Sequence, residues 1–277
     1  MKKGYVITLL LIVASFIIII IIYNVYQIST NINTSNPQNC NIFKENESGR
    51  INIVYLTDNK ALVESYTNTF LNTQPYKNNS QYFNFYYRED TNINCDIYQK
   101  IALLCYNSER VKLAKECNAD FIVSFADTSK NIRSSTYKNF ISININHPNS
   151  VLIHEFGHAI GELVEEYITS YLPHNHLNCV ESCDDFNYKG FNNNNIDGCF
   201  KGCSLSDLYR SIDEGVMRTL SSSEYGKYNE YLIENKIQEL LKNKFITKQE
   251  IFRRDLIYTD GIEDNKLIGE SFIYEKS

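Results

Sequence analysis

The sequence has no excess of positive charge. Its 277 residues include 27 Lys and Arg against 33 Asp and Glu, which gives a formal net charge of −6. A protein that binds nucleic acid presents a basic surface to the phosphates, so this composition argues against DNA or RNA as a partner. After the first thirty residues, the remaining length is enough for one sizeable domain or two closely packed subdomains.

Charged residues are also absent between Lys3 and Lys44, and residues 5–28 are almost continuously apolar. This run is longer than the apolar core of a secretory signal peptide and lacks a small-residue cleavage pattern, whereas about 20 apolar residues span a bilayer. We therefore expect residues 1–28 to form a transmembrane anchor, with a cleaved signal peptide and secretion as the alternative. The positive-inside rule keeps Lys2 and Lys3 in the cytoplasm and the rest of the chain outside.

Eight cysteines follow the apolar segment, and an even number in an oxidising compartment predicts disulfides. The last four form two pairs with the same spacing, Cys179 with Cys183 and Cys199 with Cys203. We expect bonds that join one pair to the other, because residues four apart on a helix aim their side chains poorly for a bond. A structural zinc ion held by the four thiolates is the alternative.

Predicted strands and helices alternate along the chain after a polar linker at residues 29–49. Hydrophobic periodicity predicts strands at 51–56, 82–87, 121–125 and 140–145, and helices at 61–71, 95–117, 151–163 and 224–244. This order favours a mixed α/β (α+β) fold.

The segment His154-Glu155-Phe156-Gly157-His158 carries the clearest chemical signal. Residues four apart on a helix share one face, so His154 and His158 can bind one zinc ion. Glu155 is then placed to act as the catalytic general base for a water molecule. Two histidines with no ligand role are the alternative, because short motifs of this kind also occur by chance.

The pattern extends through Gly161 to Glu165-Glu166-Tyr167. The whole segment resembles the zinc helix of the metzincin-like metallopeptidases, most closely that of the IgA-protease-like family, where H-E-F-G-H is followed by D-E-Y. The resemblance implies a zincin-like fold with a mixed sheet and an active-site helix, one catalytic Zn2+, and cleavage of a protein or peptide substrate. It also matches Met217 to a methionine that lies under the metal in a Met turn.

The third zinc ligand cannot follow the usual metzincin spacing. Ten residues after His154 stands Val164, which cannot bind a metal. The D-E-Y resemblance aligns Glu165 with the family's Asp, so we favour Glu165 and keep Glu166 as the alternate ligand. His174 and His176 are later candidates in the sequence. Gly161 is expected to take a left-handed conformation that turns the chain back towards the metal.

These inferences divide the chain into a transmembrane anchor (1–28), a linker (29–49), an upper zincin subdomain with the active-site helix (50–167) and a lower, disulfide-stapled, Cys-rich and helical subdomain (168–277). The expected function is that of a membrane-anchored, extracytoplasmic zinc metalloendopeptidase. A catalytically inactive zincin-like binding protein and a structural module organised by cysteines are the alternatives. A Ca2+ site near Asp184, Asp185 and Asp197 is a further, separate hypothesis.

Overall fold

The computed structural model describes residues 40–90, 94–169, 176–191 and 196–244. The chain divides into two units, Met1–Gln38 and Asn39–Ser277, and every described residue belongs to the second unit. The predicted anchor at residues 1–28 lies outside the described residues. Within the described ranges, none of the helices combines the length and the apolar composition needed to cross a membrane.

The described residues form ten strands and four α-helices. The strands are β1 (Asn41–Lys44), β2 (Ile51–Leu56), β3 (Phe83–Arg88), β4 (Asp96–Tyr98), β5 (Ala102–Leu104), β6 (Phe121–Ala126), β7 (Ser135–Tyr137), β8 (Phe140–Asn144), β9 (Phe200–Cys203) and β10 (Leu205–Arg210). The helices are α1 (Lys60–Asn72), α2 (Ser108–Lys115), α3 (Ser150–Ala159) and α4 (Lys227–Lys244).

Six strands form a mixed sheet in the order β1-β3-β2-β6-β8-β7. The four central strands are parallel to one another, while β1 and β7 run antiparallel at the two edges. Separate two-stranded sheets pair β4 with β5 and β9 with β10. The predicted mixed α/β (α+β) class is confirmed.

Both faces of the sheet are buried, as parallel sheets require. In β2, Ile53 and Tyr55 point into the larger apolar core, which also contains residues of α1, α3 and α4. Val54 and Leu56 point to the other face and pack with Ala114 of α2. Successive side chains of β2 therefore pack into the two cores on opposite faces of the sheet. This explains why the sequence of the strand is almost wholly apolar.

Helix α3 is enclosed by the larger core. Its residues Val151, Leu152, Ile153 and Phe156 are at most 2% exposed. The Phe156 ring meets the Phe70 ring of α1 edge-on, with 4.9 Å between the ring centroids. A helix that is apolar on most sides must lie inside the fold, so α3 is fixed between the sheet and its neighbouring helices.

The four predicted strands and the helix at 61–71 are confirmed, but the predicted helix at 95–117 is wrong in its first half. That half is the β4–β5 hairpin, which turns at Gln99 and Lys100 with positive φ angles. The disulfide Cys95–Cys105 closes the hairpin. The helix α2 begins only after Asn107, whose side chain accepts a hydrogen bond from the Arg110 amide.

All eight cysteines are joined in disulfides. Cys179–Cys203 and Cys183–Cys199 link the two pairs to each other, as predicted. The remaining bonds are Cys95–Cys105 and Cys40–Cys117. No thiolate is left to hold a structural zinc ion, so that alternative is wrong.

The last residues of the predicted linker are part of the fold. β1 pairs with β3, and Cys40 is tied to Cys117 at the end of the α2 region. The folded body therefore begins before residue 50, where the sequence had placed the boundary. Only the linker's last residues, from 40 onwards, lie within the described residues.

Candidate metal centre

Two histidines of α3 converge in space. The Nε2 atoms of His154 and His158 are 3.2 Å apart, one helical turn along the same face. The opposite ring nitrogens face carbonyl oxygens: His154 Nδ1 lies 2.8 Å from Val216 O, and His158 Nδ1 lies 2.7 Å from Leu163 O. A carbonyl oxygen can only accept, so each Nδ1 carries a proton and, in the neutral ring, each Nε2 is left as a free lone pair.

The chain reverses direction directly after α3. The helix ends at Ala159, earlier than the predicted residue 163, and Leu163 N donates to Gly157 O at 3.1 Å. The left-handed residue of this turn is Glu162, with a φ of 53°, so the expectation for Gly161 is wrong. Gly161 is needed for space instead, because a Cβ atom there would lie 2.7 Å from Gly157 O and from Ile233 Cγ1.

The reversal brings Glu165 to the two imidazoles. Its Oε2 lies 3.3 Å from His154 Nε2, and its Oε1 lies 3.4 Å from His158 Nε2. The neighbouring carboxylate points elsewhere: Glu166 is fully buried and accepts a 2.7 Å hydrogen bond from Asn229 Nδ2 of α4. Of the two glutamates left open by the sequence, the structure places Glu165 with the histidines.

His154, His158 and Glu165 form a set of acceptors that fits a metal ion. Each offers one ligand atom, and these atoms all lie within 4.8 Å of one another. Glu165 Oε2 is buried and has no hydrogen-bond partner. Two lone pairs and a carboxylate that face one another repel unless positive charge lies between them. The donor set of two imidazoles and one carboxylate is one that proteins use for zinc.

The electrostatics of these groups also favour positive charge. Burial opposes the charged form of His154, but the carboxylates of Glu165 and Glu155 outweigh burial and raise the pKa of His154 to about 9. The pKa of His158 is raised in the same way, against its burial. Burial would raise the pKa of Glu165, but the two histidines reverse this effect and lower it. Two carboxylates and two imidazoles thus favour a cation, either a proton or a metal ion.

Glu155 lies beside the histidines and is only 4% exposed. Its Oε2 accepts a 2.7 Å hydrogen bond from the hydroxyl of Thr136 on the edge strand β7. Burial raises the pKa of Glu155, while His154, His158 and the Thr136 hydroxyl lower it. Thr136 is not among the residues predicted from the sequence, and no local motif marks it. It meets Glu155 only because the folded sheet brings β7 next to α3.

Met217 lies against the underside of α3. It is completely buried, and a Cβ atom on Gly157 would come within 2.4 Å of Met217 Sδ. The preceding residue, Val216, accepts the hydrogen bond from His154 Nδ1. The turn around Met217 therefore supports the helix and orients one imidazole.

Two tyrosines contact the site. The Tyr225 hydroxyl donates to Ile153 O inside α3 and is fully buried, so it supports the helix and does not face a substrate. The Tyr167 hydroxyl accepts a hydrogen bond from Arg133 Nη1 at 3.2 Å. Burial and the Glu165 carboxylate raise the pKa of Tyr167, which keeps its proton on the hydroxyl.

Within the described residues, the other metal candidates do not join this cluster. His174 lies outside the described residues, and His176 Nδ1 donates to Cys179 O at 3.0 Å. Asp197 accepts a hydrogen bond from the Lys227 amide at the start of α4, while Asp184 and Asp185 are exposed. Within the described ranges, His154, His158 and Glu165 are the only group of three or more His, Cys, Asp or Glu placed to hold a metal ion.

The site combines three converging ligand atoms with a buried carboxylate, Glu155, on the same helix. This arrangement can bind a divalent cation and keep a proton acceptor next to it. In the comparisons with known proteins, no family model matches the chain and no curated protein matches it.

Proposed function

We propose that the chain is a zinc-dependent endopeptidase with a zincin-like fold. The observation that carries this proposal is the convergence of His154 Nε2, His158 Nε2 and the Glu165 carboxylate within 4.8 Å. Three protein ligands are typical of catalytic zinc sites, which keep a further position for water or substrate. The resemblance of the segment from His154 to Tyr167 to the IgA-protease-like zinc helix supports the same conclusion.

The reaction class follows from the metal and from Glu155. A zinc ion held by His154, His158 and Glu165 would supply a Lewis acid that polarises the peptide carbonyl and makes a water molecule acidic. Glu155 takes the proton from the attacking water and gives it to the leaving amine. Its burial keeps bulk water away from this carboxylate, and the Thr136 hydroxyl fixes one of its oxygens. No covalent acyl-enzyme intermediate is required.

We further propose that the enzyme acts outside the cytoplasm, attached to the membrane through residues 1–28. Four disulfides support an oxidising compartment. The apolar run at residues 5–28 supports the anchor. The substrate is a protein or peptide, whose sequence the short zinc motif does not specify.

The proposal is tested by zinc content and by proteolysis of an unstructured protein such as casein. The full chain is compared with Glu155→Gln, Glu165→Gln and Glu166→Gln, each purified in the same way. We expect about one equivalent of zinc in the wild type and in Glu155→Gln, with proteolysis only in the wild type. Glu165→Gln is expected to lose zinc, whereas Glu166→Gln, the neighbouring control, retains it.

Other outcomes would point to the alternatives. Zinc bound through His154 without cleavage of any tested protein would favour an inactive zincin-like binding protein. Zinc that remains in Glu165→Gln but is lost from Glu166→Gln would exclude the ligand set proposed here. Absence of zinc from the wild type, even after incubation with the ion, would refute the proposed function.

A further inference from the structure

The residues that carry Glu165 belong to no helix or strand, so other groups must fix their position. We name residues 164–166 the carboxylate segment. Val164 N donates to Asn178 Oδ1 at 2.9 Å, and Asn178 Nδ2 donates back to Val164 O at 2.9 Å. One amide side chain thus satisfies both backbone groups of Val164, as a neighbouring strand would. Asn178 itself is completely buried.

A second side chain holds the next residue. The Ser204 hydroxyl donates to the backbone oxygen of Glu165 at 2.6 Å. Ser204 O in turn accepts from Thr169 N at 2.8 Å, which binds the chain beyond the carboxylate segment as well. Since Ser204 is 1% exposed, water does not compete for these bonds. Asn178 and Ser204 therefore fix the backbone on either side of the Glu165 Cα atom.

These two residues are joined through a disulfide. Asn178 precedes Cys179, Ser204 follows Cys203, and Cys179 is bonded to Cys203. The side chain of Val164 packs with both cysteines and with Leu208 in a small apolar cluster of its own. The disulfide thus touches the carboxylate segment directly and also ties together the two residues that hydrogen bond to it.

We propose that the Cys179–Cys203 disulfide is part of the metal site, because it holds Asn178 and Ser204 where they position Glu165. This inference rests on the proposed metal-binding function. Asn178 and Ser204 are positioning residues: they act through Glu165 and do not touch the metal. The metal affinity of the protein depends on this one disulfide, and reduction or loss of the bond releases the third ligand.

The chain contains a matched control for this proposal. The Cys183–Cys199 disulfide lies within the same loop, 16 residues apart in sequence against 24 for Cys179–Cys203. Neither Cys183 nor Cys199 belongs to the cluster around Val164. Removal of either bond relaxes the same loop, but only one of them holds the carboxylate segment.

The first experiment measures the zinc dissociation constant of the full chain by competition with a chromogenic chelator. Cys179→Ala/Cys203→Ala is compared with Cys183→Ala/Cys199→Ala, and circular dichroism with thermal unfolding of the zinc-free proteins monitors the fold. We expect the first double variant to bind zinc about 10- to 100-fold more weakly, the usual cost of removing support from a metal ligand. The second double variant is expected to keep the wild-type affinity.

A single substitution separates ligand positioning from general stability. Ser204 has a φ of 53°, a conformation that glycine adopts without strain. Ser204→Gly removes the hydroxyl bound to Glu165 O while it relaxes the backbone, so the zinc-free fold is expected to unfold at the wild-type temperature. The zinc affinity is still expected to fall about 10-fold or more.

The outcomes also separate this inference from the proposed function. Weaker zinc binding in both Cys179→Ala/Cys203→Ala and Ser204→Gly, with the control pair unaffected, supports it. Equal affinity loss in the two double variants, or an unchanged affinity in Ser204→Gly, overturns it while Glu165→Gln still loses zinc. If the wild type binds no zinc at all, both this inference and the proposed function are overturned.

Discussion

Replacement of Thr136 by valine tests whether the edge strand β7 tunes the pKa of Glu155, the proposed general base. Valine has nearly the same shape as threonine but cannot donate the 2.7 Å hydrogen bond to Glu155 Oε2. A hydrogen bond to a charged group contributes about 1.5–3 kcal/mol. Its loss therefore raises the pKa of the Glu155 carboxyl, and at 1.36 kcal/mol per factor of ten it shifts the ionisation equilibrium about 10- to 100-fold towards the protonated form. This adds to the increase that burial already causes.

The sign of the effect on activity follows from the proposed role of Glu155 as general base. A general base must be ionised, so a higher pKa of Glu155 moves the acid limb of the kcat/KM profile to higher pH. Below that limb, Thr136→Val is expected to be about 10- to 100-fold slower than the wild type, and the rate recovers as the pH rises. The zinc content is expected to stay the same, because the Thr136 hydroxyl hydrogen bonds to Glu155, which is not one of the proposed zinc ligands.

The assay is the pH dependence of kcat/KM for a fluorogenic peptide, with Thr136→Ser as the control. Serine keeps the hydroxyl, so its acid limb is expected to coincide with that of the wild type. An acid limb in Thr136→Val at the wild-type position would refute the reasoning. An equal shift in the serine and valine variants would do so as well, because serine keeps the hydroxyl and its shift could not come from loss of the hydrogen bond to Glu155.

Two further predictions concern stability. Gly157→Ala places a Cβ atom 2.4 Å from Met217 Sδ, and such overpacking costs about 1–3 kcal/mol in urea unfolding; an unchanged midpoint would contradict the close packing of Met217 under α3. Burial raises the pKa of Glu166 from 4.5 to about 7, although Asn229, Asn178, Arg210 and Arg218 oppose the shift. The protonated Glu166 carboxyl therefore contributes its full share to the free energy of unfolding below about pH 4.5. This contribution is roughly 3 kcal/mol at most, and it is lost as the pH rises through about 7. The zinc-free Glu166→Gln variant is expected to lack this pH-dependent loss of stability. If the unfolding free energies of the zinc-free variant and the zinc-free wild type changed with pH in the same way from pH 4 to 8, this contribution would be excluded.

Much of the fold could be predicted because the signals are local. The strand 51–56 is apolar on both faces and has strong β-formers, so its class follows from composition alone. The helix carrying His154 and His158 is likewise marked by its apolar residues. The region 95–105 could not be predicted in this way, because its apolar positions also fit a helical period. The Cys95–Cys105 disulfide and the turn at Gln99 decide in favour of a hairpin.

The residues that support the site were harder to find than the candidate metal ligands. Thr136, Asn178 and Ser204 contact Glu155 or the carboxylate segment only after distant parts of the chain are brought together. Serine, threonine and asparagine are common surface residues, so their presence in the sequence carries no signal. One clue existed: Asn178 and Ser204 each stand next to a cysteine of the two predicted pairs.

The choice between Glu165 and Glu166 shows where local reasoning ends. In an extended segment, successive side chains point to opposite sides, so only one of two adjacent glutamates can face the histidines. The sequence favours this pair for the third ligand but does not show which of the two side chains faces the histidines. Tertiary hydrogen bonds decide which side chain faces the histidines. Glu166 N donates to Met217 O, and the Glu166 side chain accepts a hydrogen bond from Asn229 of α4. Because Glu166 is held by these partners, Glu165 is left to face His154 and His158. A shift of the segment by one residue would bury Glu165 and turn Glu166 towards the two histidines.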